Sequence, residues 1–312
     1  MNFQCYDLIG DIHGQFDKVV NLLGRLGYIR YGATFRHGEG RKVIFLGDCI
    51  DRGPKIRETL ALVRGMVEAG DALAIMGNHE YNAIAFATPD GNGGFLRQHT
   101  PTKQHQHAAT LAQFANYEDE WAEWIEWMKR LPMFLDLGGL RCVHACWDAK
   151  RIPLLDGRDL RDPDFLRACA TRKCPEFRAV ENILKGPELF LPEGVVFKDK
   201  EGVARPTVRT RWWQNQVGMK LGDMVMPRPV EIDHIIRERH LKDIPNYSAD
   251  APPVFFGHYW MPPDLPKQPL ARNIACLDYS AAFGDNPLIA YRWDGEAELS
   301  VGKFVASSGA EL

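Results

Sequence analysis

Cysteine is scarce and follows no pairing pattern. Seven are scattered between Cys5 and Cys276, the count is odd, and no CxxC pair occurs. A disulfide framework and a thiolate zinc site are therefore not expected, and the cysteines read as buried free thiols. Long apolar runs are also missing. No stretch approaches the about 18 consecutive apolar residues a spanning helix needs. The start, "MNFQCYDLIGDIHG", lacks a basic n-region and a cleavable apolar segment, so a cytoplasmic protein is expected. Neither sign of charge dominates: 38 Lys and Arg stand against 41 Asp and Glu, a net charge of −3. No global pull toward nucleic acid or an anionic membrane follows. Repeats and low-complexity tracts are absent. What remains is a chain of 312 residues, 45% hydrophobic and 25% charged, ordinary for a globular protein of one large domain or two modest ones.

The first half alternates. "CYDLIG" reads as a strand and "QFDKVVNLLGRLG" as an amphipathic helix. "KVIFLG" is a strand, "KIRETLALVRGMVEA" a helix and "ALAIMG" a strand. This alternation argues for α/β layering around a central sheet. Residues 108–130 look helical, with Trp121, Trp124, Trp127 and Met128 forming a core stripe. "MFLDLGGLRCVHA" reads as two strands around a Gly-Gly turn, and "RQHTPTKQHQH", with His99, His105 and His107, as a solvated loop. From Trp147 to Pro252 prolines and arginines increase and periodicity weakens. We read 147–252 as a cap inserted into a single domain over 1–312. "PPVFFGH" returns to strand, and "NIACLDYSAAFGDNPLIAYRWDGE" reads as a closing hairpin.

Five apolar segments end in a polar donor. "DLIGDIHG" leads to Asp11 and His13, "VIFLGDCIDRG" to Asp48, "ALAIMGNHE" to Asn78 and His79, "LRCVHA" to His144, and "VFFGH" to His258. In an open α/β sheet the carboxyl ends of strands are where ligands bind. Glycine precedes the donor in four of the five segments, which lets the backbone approach a ligand. Carboxylate, amide and imidazole without thiolate favour a moderately hard divalent ion such as Mn, Fe, Mg or Zn. Counted without His79, the six donors Asp11, His13, Asp48, Asn78, His144 and His258 exceed what one catalytic ion takes if water must also bind; two ions bridged by one carboxylate accommodate them.

"GDIHG", "GDCIDRG", "GNHE", a single His and "GH", in that order, resemble the calcineurin-like metallophosphoesterases. The branch resembled is the phosphoprotein phosphatase group with its bacterial and diadenosine-tetraphosphatase relatives. The resemblance covers roughly 5–81, 140–145 and 253–293. It implies a central β-sandwich flanked by helices, with a dimetal site at the strand C-termini. Asp11, His13 and Asp48 would hold one ion; Asp48, Asn78, His144 and His258 would hold the other. Nickel joins the candidate metals, with manganese first. Arg52 would bind phosphate as a fork. His79 would protonate the leaving oxygen, oriented by Asp51. Two departures stand out: Met76 occupies the place of an arginine clamp, and "HAC" at His144–Cys146 replaces the group's "HGG".

Taken singly, an Asp or His at a strand end is a cap or turn residue, and Arg52 a turn partner of Asp51; the shared register of five motifs overrides that. Glu80 reads as a structural charge at a helix start. Cys49 is left out of the metal set. "RPTVRTRWWQNQ" offers Arg205, Arg209 and Arg211 with Trp212 and Trp213, either as an anion clamp with stacking faces or as a buried Trp pair with arginines at the rim. Arg209 and Arg211 are taken as substrate-binding candidates. The expected activity is dimetal hydrolysis of phosphate monoesters, of a phosphorylated small molecule, nucleotide or phosphoprotein, including phosphotyrosine. The alternatives are a bis(5'-nucleosyl)-tetraphosphatase and a non-catalytic phosphate-binding regulatory module. Neither a membrane nor nucleic acid is expected as partner.

Overall fold

The computed structural model describes residues 4–198 and 204–309. The ends of the 1–312 domain, and 199–203 within the 147–252 segment, lie outside the described residues.

Strand β1 (Tyr6–Ile9) buries Leu8 and Ile9 completely. Helix α1 (Phe16–Arg25) turns Val19, Leu22 and Leu23 inward at helical spacing. A hairpin of β2 (Tyr28–Tyr31) and β3 (Thr34–His37) follows. Then β4 (Lys42–Phe45), α2 (Ile56–Glu68) and β5 (Ala72–Ala74) complete two crossovers, with β1, β4 and β5 parallel. Three helices come next, α3 (Asn78–Ala87), α4 (Pro101–Gln113) and α5 (Glu118–Met128), then the antiparallel pair β6 (Phe134–Asp136) and β7 (Arg141–Val143).

Helices α6 (Pro163–Ala170) and α7 (Pro175–Lys185) open the next stretch. Strands β8 (Glu188–Phe190), β9 (Phe197–Lys198), β10 (Ala204–Arg205) and β11 (Thr207–Arg209) pair as β8 with β11 and β9 with β10. The short α8 (Leu221–Met224) follows, and β12 (Val254–Phe256), β13 (Ile274–Cys276), β14 (Ile289–Trp293) and β15 (Phe304–Ala306) end the fold.

Two mixed sheets result, ordered β15-β14-β1-β4-β5 and β13-β12-β7-β6. Leu8 and Phe45 of the first and Val143 and Phe255 of the second belong to one buried apolar cluster. The α/β sandwich expected from the sequence is therefore present. Because β1, β4 and β5 are parallel, their carboxyl ends share one edge; the parallel β7 and β12 do the same in the second sheet. Asp7 on β1 is fully buried and accepts from Arg41 at 2.9 and 3.0 Å and from the Tyr28 hydroxyl at 3.0 Å.

The stretch 147–252 packs in two ways. Phe165, Val180, Ile183, Trp212 and Trp213 join the main cluster. Leu189, Val208, Leu221, Met224, Ile232 and Ile236 form a small cluster of their own.

Three sequence expectations need correction. "RQHTPTKQHQH" is not a solvated loop, because Thr100 caps and Pro101 opens α4, which carries His107 into the interior. The helix read over 108–130 is two helices, broken around Tyr117. The closing hairpin does not form: β13 lies beside β12 in one sheet and β14 beside β1 in the other.

Candidate metal centre

Each of β1, β4, β5, β7 and β12 ends within four residues of a sequence-identified donor: Asp11, Asp48, Asn78, His144 and His258. All five are buried, as are His13 and His79. The chain reaches this arrangement through unusual backbone. Among the described residues, seven non-glycines have positive φ: His13, Asp48, Asp51, Arg52, His258, Trp260 and Ser280. All belong to this site or to the walls of the cleft above it. Such conformations persist only where surrounding structure enforces them. Two glycines explain how the donors fit. A Cβ on Gly257 would sit 1.8 Å from Asp11 Oδ1, and one on Gly77 would sit 2.2 Å from Asp48 Oδ1.

Asp48 is the hub. The Nε2 atoms of His144, His13 and His79 lie 3.3, 3.7 and 3.9 Å from its Oδ2. Two compact donor groups share it: His13, Asp48 and His79, and Asp48, His144 and His258. Asn78 joins the second group through Oδ1, 3.1 Å from His144 Nε2. Asp11 belongs to neither triad but interacts electrostatically with His144 and Asp48 and receives the His258 backbone N–H at 3.1 and 3.2 Å. Cys49 belongs to neither group.

The donors fit divalent cations. His13 and His144 donate Nδ1–H to the carbonyls of Ile50 and Leu46, each at 2.8 Å. That fixes the ring orientations and aims Nε2 at Asp48, as an outer carbonyl does for a ligating histidine. The Nε2 atoms of His13 and His258 are buried without a hydrogen-bond partner, an arrangement that costs free energy unless a ligand completes it. Burial, with His79 nearby, lowers His13 to about 3, so its ring stays neutral with a lone pair to offer. Burial lowers His144 too, but Asp48 more than reverses this and raises it to about 10. The pocket therefore demands positive charge between Asp48 and Asn78, which a metal ion supplies in place of a proton. Burial, then Asp278, pushes the Asp11 carboxyl well up; an adjacent cation would reverse that.

Asp51 forms a separate knot. Its carboxylate takes His79 Nδ1–H at 2.5 Å, His107 Nδ1–H at 2.7 Å and the Thr110 hydroxyl at 2.6 Å. Burial alone would raise this acid, but the bonds from His107 and His79 hold it well below the usual carboxylate range. His79 shifts oppositely: burial lowers it, Asp48 and Asp51 outweigh that, and the net shift is upward. His79 Nε2 lies within the first triad while Asp51 holds its Nδ1–H, a geometry open to a ligand or to a proton donor.

Glu80 does far more than charge a helix start. Its carboxylate accepts backbone N–H groups of Asp48 at 2.8 Å, Cys49 at 2.8 Å, Gly77 at 2.9 Å and Ile50 at 3.3 Å. It ties the "GDCI" turn to the "GNHE" turn. Glu80, His107, Thr110 and Trp260 have places in the site that the sequence did not disclose.

Above the donors opens a cleft of about 730 Å³. Arg52 lies exposed over the Trp260 ring at 4.2 Å. Arg209 lines the cleft, and burial first, then Arg209, lowers the pKa of the neighbouring His258. Arg211 is half-buried and is not among the lining residues. Trp212 and Trp213 are buried at 0% and 4% exposure, so neither presents a face to a ligand. Met76 is also fully buried.

The chain matches the calcineurin-like phosphoesterase family over residues 7–264. Over 74 residues it is 40% identical to the asymmetrical bis(5'-nucleosyl)-tetraphosphatase PrpE of Halalkalibacterium halodurans, covering 24% of this chain and 30% of that one. With its namesake from Bacillus subtilis the identity is 43% over 75 residues, covering 24% and 31%. The match thus spans less than a third of these relatives' length. A solved protein serine/threonine phosphatase from Saccharomyces cerevisiae aligns over 98% of this chain and 79% of its own, with TM-score 0.51 and 12% identity. That likeness is one of fold.

Proposed function

Because the chain belongs to the calcineurin-like phosphoesterases, hydrolases of phosphoric esters with a dinuclear metal centre, we propose that it hydrolyses phosphate monoesters. The observation that carries this is the single carboxylate, Asp48, shared by two buried donor groups. Asp11, His13 and Asp48 would hold one ion, and Asp48, Asn78, His144 and His258 the other, with manganese the first candidate. The ions would polarise the phosphoryl oxygens and acidify water at neutral pH.

The chain's own residues do the rest. Arg52 projects into the cleft and offers its fork to two phosphoryl oxygens. His79 delivers a proton from Nε2 to the leaving oxygen while Asp51 holds Nδ1. Substituting such an acid costs about 10²–10⁴-fold. Arg209, beside His258, completes the phosphate clamp where Met76 leaves no arginine. The 147–252 segment acts as the cap that selects substrate within a single domain. Its buried tryptophans give no stacking face, so an aryl group would lie against Trp260 instead. A purely regulatory phosphate-binding module would have no use for the proton-donor pair of His79 and Asp51.

The test is metal-reconstituted protein with p-nitrophenyl phosphate, together with elemental analysis of variants. Wild type should hold two ions and hydrolyse the ester, and chelation should stop it. Asp48→Asn should lose both ions, whereas Asp11→Asn should retain more of one. Two ions at near-full occupancy in Asp48→Asn protein would overturn the assignment.

A further inference from the structure

The cleft is far more basic than one phosphate requires. Besides Arg52 and Arg209 it is lined by Arg97, Lys103, Lys185 and Arg205, while its carboxylates are Asp51 and Glu188. Those two are engaged. Asp51 is saturated by His79, His107 and Thr110. Glu188 takes the Thr207 hydroxyl at 2.5 Å and faces Arg209 at 3.9 Å. Lys185 has Glu181 as its partner. Arg97 and Lys103 are different. Arg97 donates only to amide oxygens, Asn82 Oδ1 and Gln106 Oε1, each at 2.9 Å. Among the described residues, no carboxylate forms an ion pair with Arg97 or Lys103. Both are half-buried. Burial first, then Arg97, Arg172 and Lys185, push the Lys103 ammonium below its usual range.

A solvated basic face would spread such charges outward. Here they converge inward, where like charges repel and water is partly excluded. Their position is specific. On α3, Asn82 follows His79 by three residues; on α4, Lys103 precedes His107 by four. Each spacing places a neighbour on the same helix face, about one turn or 5.4 Å along the axis. Both routes lead from the His79–Asp51–His107 knot to Arg97 and Lys103. The basic cluster therefore lies about one helical turn from the His79–Asp51–His107 knot, lining the same cleft.

We propose that Arg97 and Lys103, with Lys185 beside them, form a second anion subsite that holds a negatively charged group on the leaving portion of the substrate. The preferred substrates then carry a further phosphate beyond the one cleaved, as in a polyphosphate chain or a multiply phosphorylated small molecule. The inference rests on His79 being the leaving-group acid.

Two measurements decide it separately from the phosphatase reading. The first needs no turnover: calorimetric titration of the full chain, stripped of metal, with inorganic tripolyphosphate and with inorganic phosphate. Wild type should bind tripolyphosphate more tightly than phosphate. Lys103→Gln should weaken tripolyphosphate binding roughly tenfold or more, the worth of one charged hydrogen bond. Lys185→Gln, on a different helix, serves as second variant, and melting curves establish that each is folded. The second compares kcat/KM on metal-loaded enzyme. Lys103→Gln should lower the value for tripolyphosphate about tenfold more than that for p-nitrophenyl phosphate. Equal tripolyphosphate affinity in wild type and both variants overturns the subsite, whether or not the enzyme turns over. Equal losses on both substrates overturn its place on the leaving side. Wild-type protein inactive on every ester would sink the phosphatase reading, while the titration would still judge the subsite.

Discussion

Replacing Glu80 by glutamine removes one charge and changes almost no volume. In the native protein the carboxylate is 1% exposed and accepts four backbone N–H groups, two on each oxygen. Glutamine keeps one acceptor oxygen. Its amide nitrogen must face the other pair of N–H groups, so two donors lose their partner inside a dry site. A hydrogen bond to a charged acceptor is worth about 1.5–3 kcal/mol, which puts the loss at roughly 4 kcal/mol. With about 2–4 °C of Tm per kcal/mol for large domains, the melting temperature should fall by about 10 °C. Metal content should fall with it, because Asp48 and Gly77 carry the freed N–H groups. Calorimetry of the metal-loaded protein measures the first, elemental analysis the second. Burial pushes the Glu80 carboxyl upward and Asp48 adds to it, which sets up the refutation. A Glu80→Gln melting temperature within about 2 °C of wild type would mean that the carboxyl carries a proton in the folded protein and clamps the turn no better than an amide.

Asp51→Asn should move the basic limb of kcat to lower pH. Burial lowers the His79 pKa and Asp48 and Asp51 raise it, so removing Asp51 lets the imidazolium lose its proton sooner; a pH–rate profile with an unmoved limb would dismiss His79 as the acid. Gly257→Ala puts a Cβ 1.8 Å from Asp11 Oδ1 and should cost at least one ion per chain with the fold intact by circular dichroism; full metal occupancy would show that Asp11 is not a ligand. Arg41→Met strips the fully buried Asp7 of its closest cation and should destabilise by about 3 kcal/mol in urea unfolding; a loss under about 1 kcal/mol would show that Arg292, 3.2 Å from Asp7, suffices alone.

The convergence of the Asp11, Asp48, Asn78, His144 and His258 side chains on one edge was legible because its signal is local. Each apolar strand breaks off into a donor within a few residues, and five repetitions in one chain leave little room for accident. Glu80 was legible as a residue but not as a clamp, since its acceptors serve N–H groups about 30 positions earlier, brought near only by the parallel pairing of β4 with β5. His107 was misread for a related reason. Its helix has a cap and a proline start, but the polar run "PTKQHQ" carries no apolar stripe, and the partner that buries the ring, Asp51, is 56 residues away. The C-terminal strands show a further limit. The run from Asn273 to Glu296 read as a hairpin, yet nothing in two β-rich runs separated by a turn says that they belong to different sheets.

The seven left-handed non-glycine residues have a consequence for attempts to improve this protein. At roughly 1 kcal/mol each, the low end for such conformations, they withhold about 7 kcal/mol from a fold whose whole margin is of the order of 5–15 kcal/mol. Every one of them lies in the site or its walls. At the buried positions glycine would relax the backbone but strip neighbours of their partners, as at Asp51, which accepts from His79, His107 and Thr110; a laboratory selection for heat resistance alone would therefore find its easiest gain at the exposed Arg52. The hardier descendants would keep both sheets and lose the guanidinium that lies over Trp260 at the cleft. Thermostability in this chain has to be sought elsewhere, in the helices and the outer strands, with those seven positions held fixed.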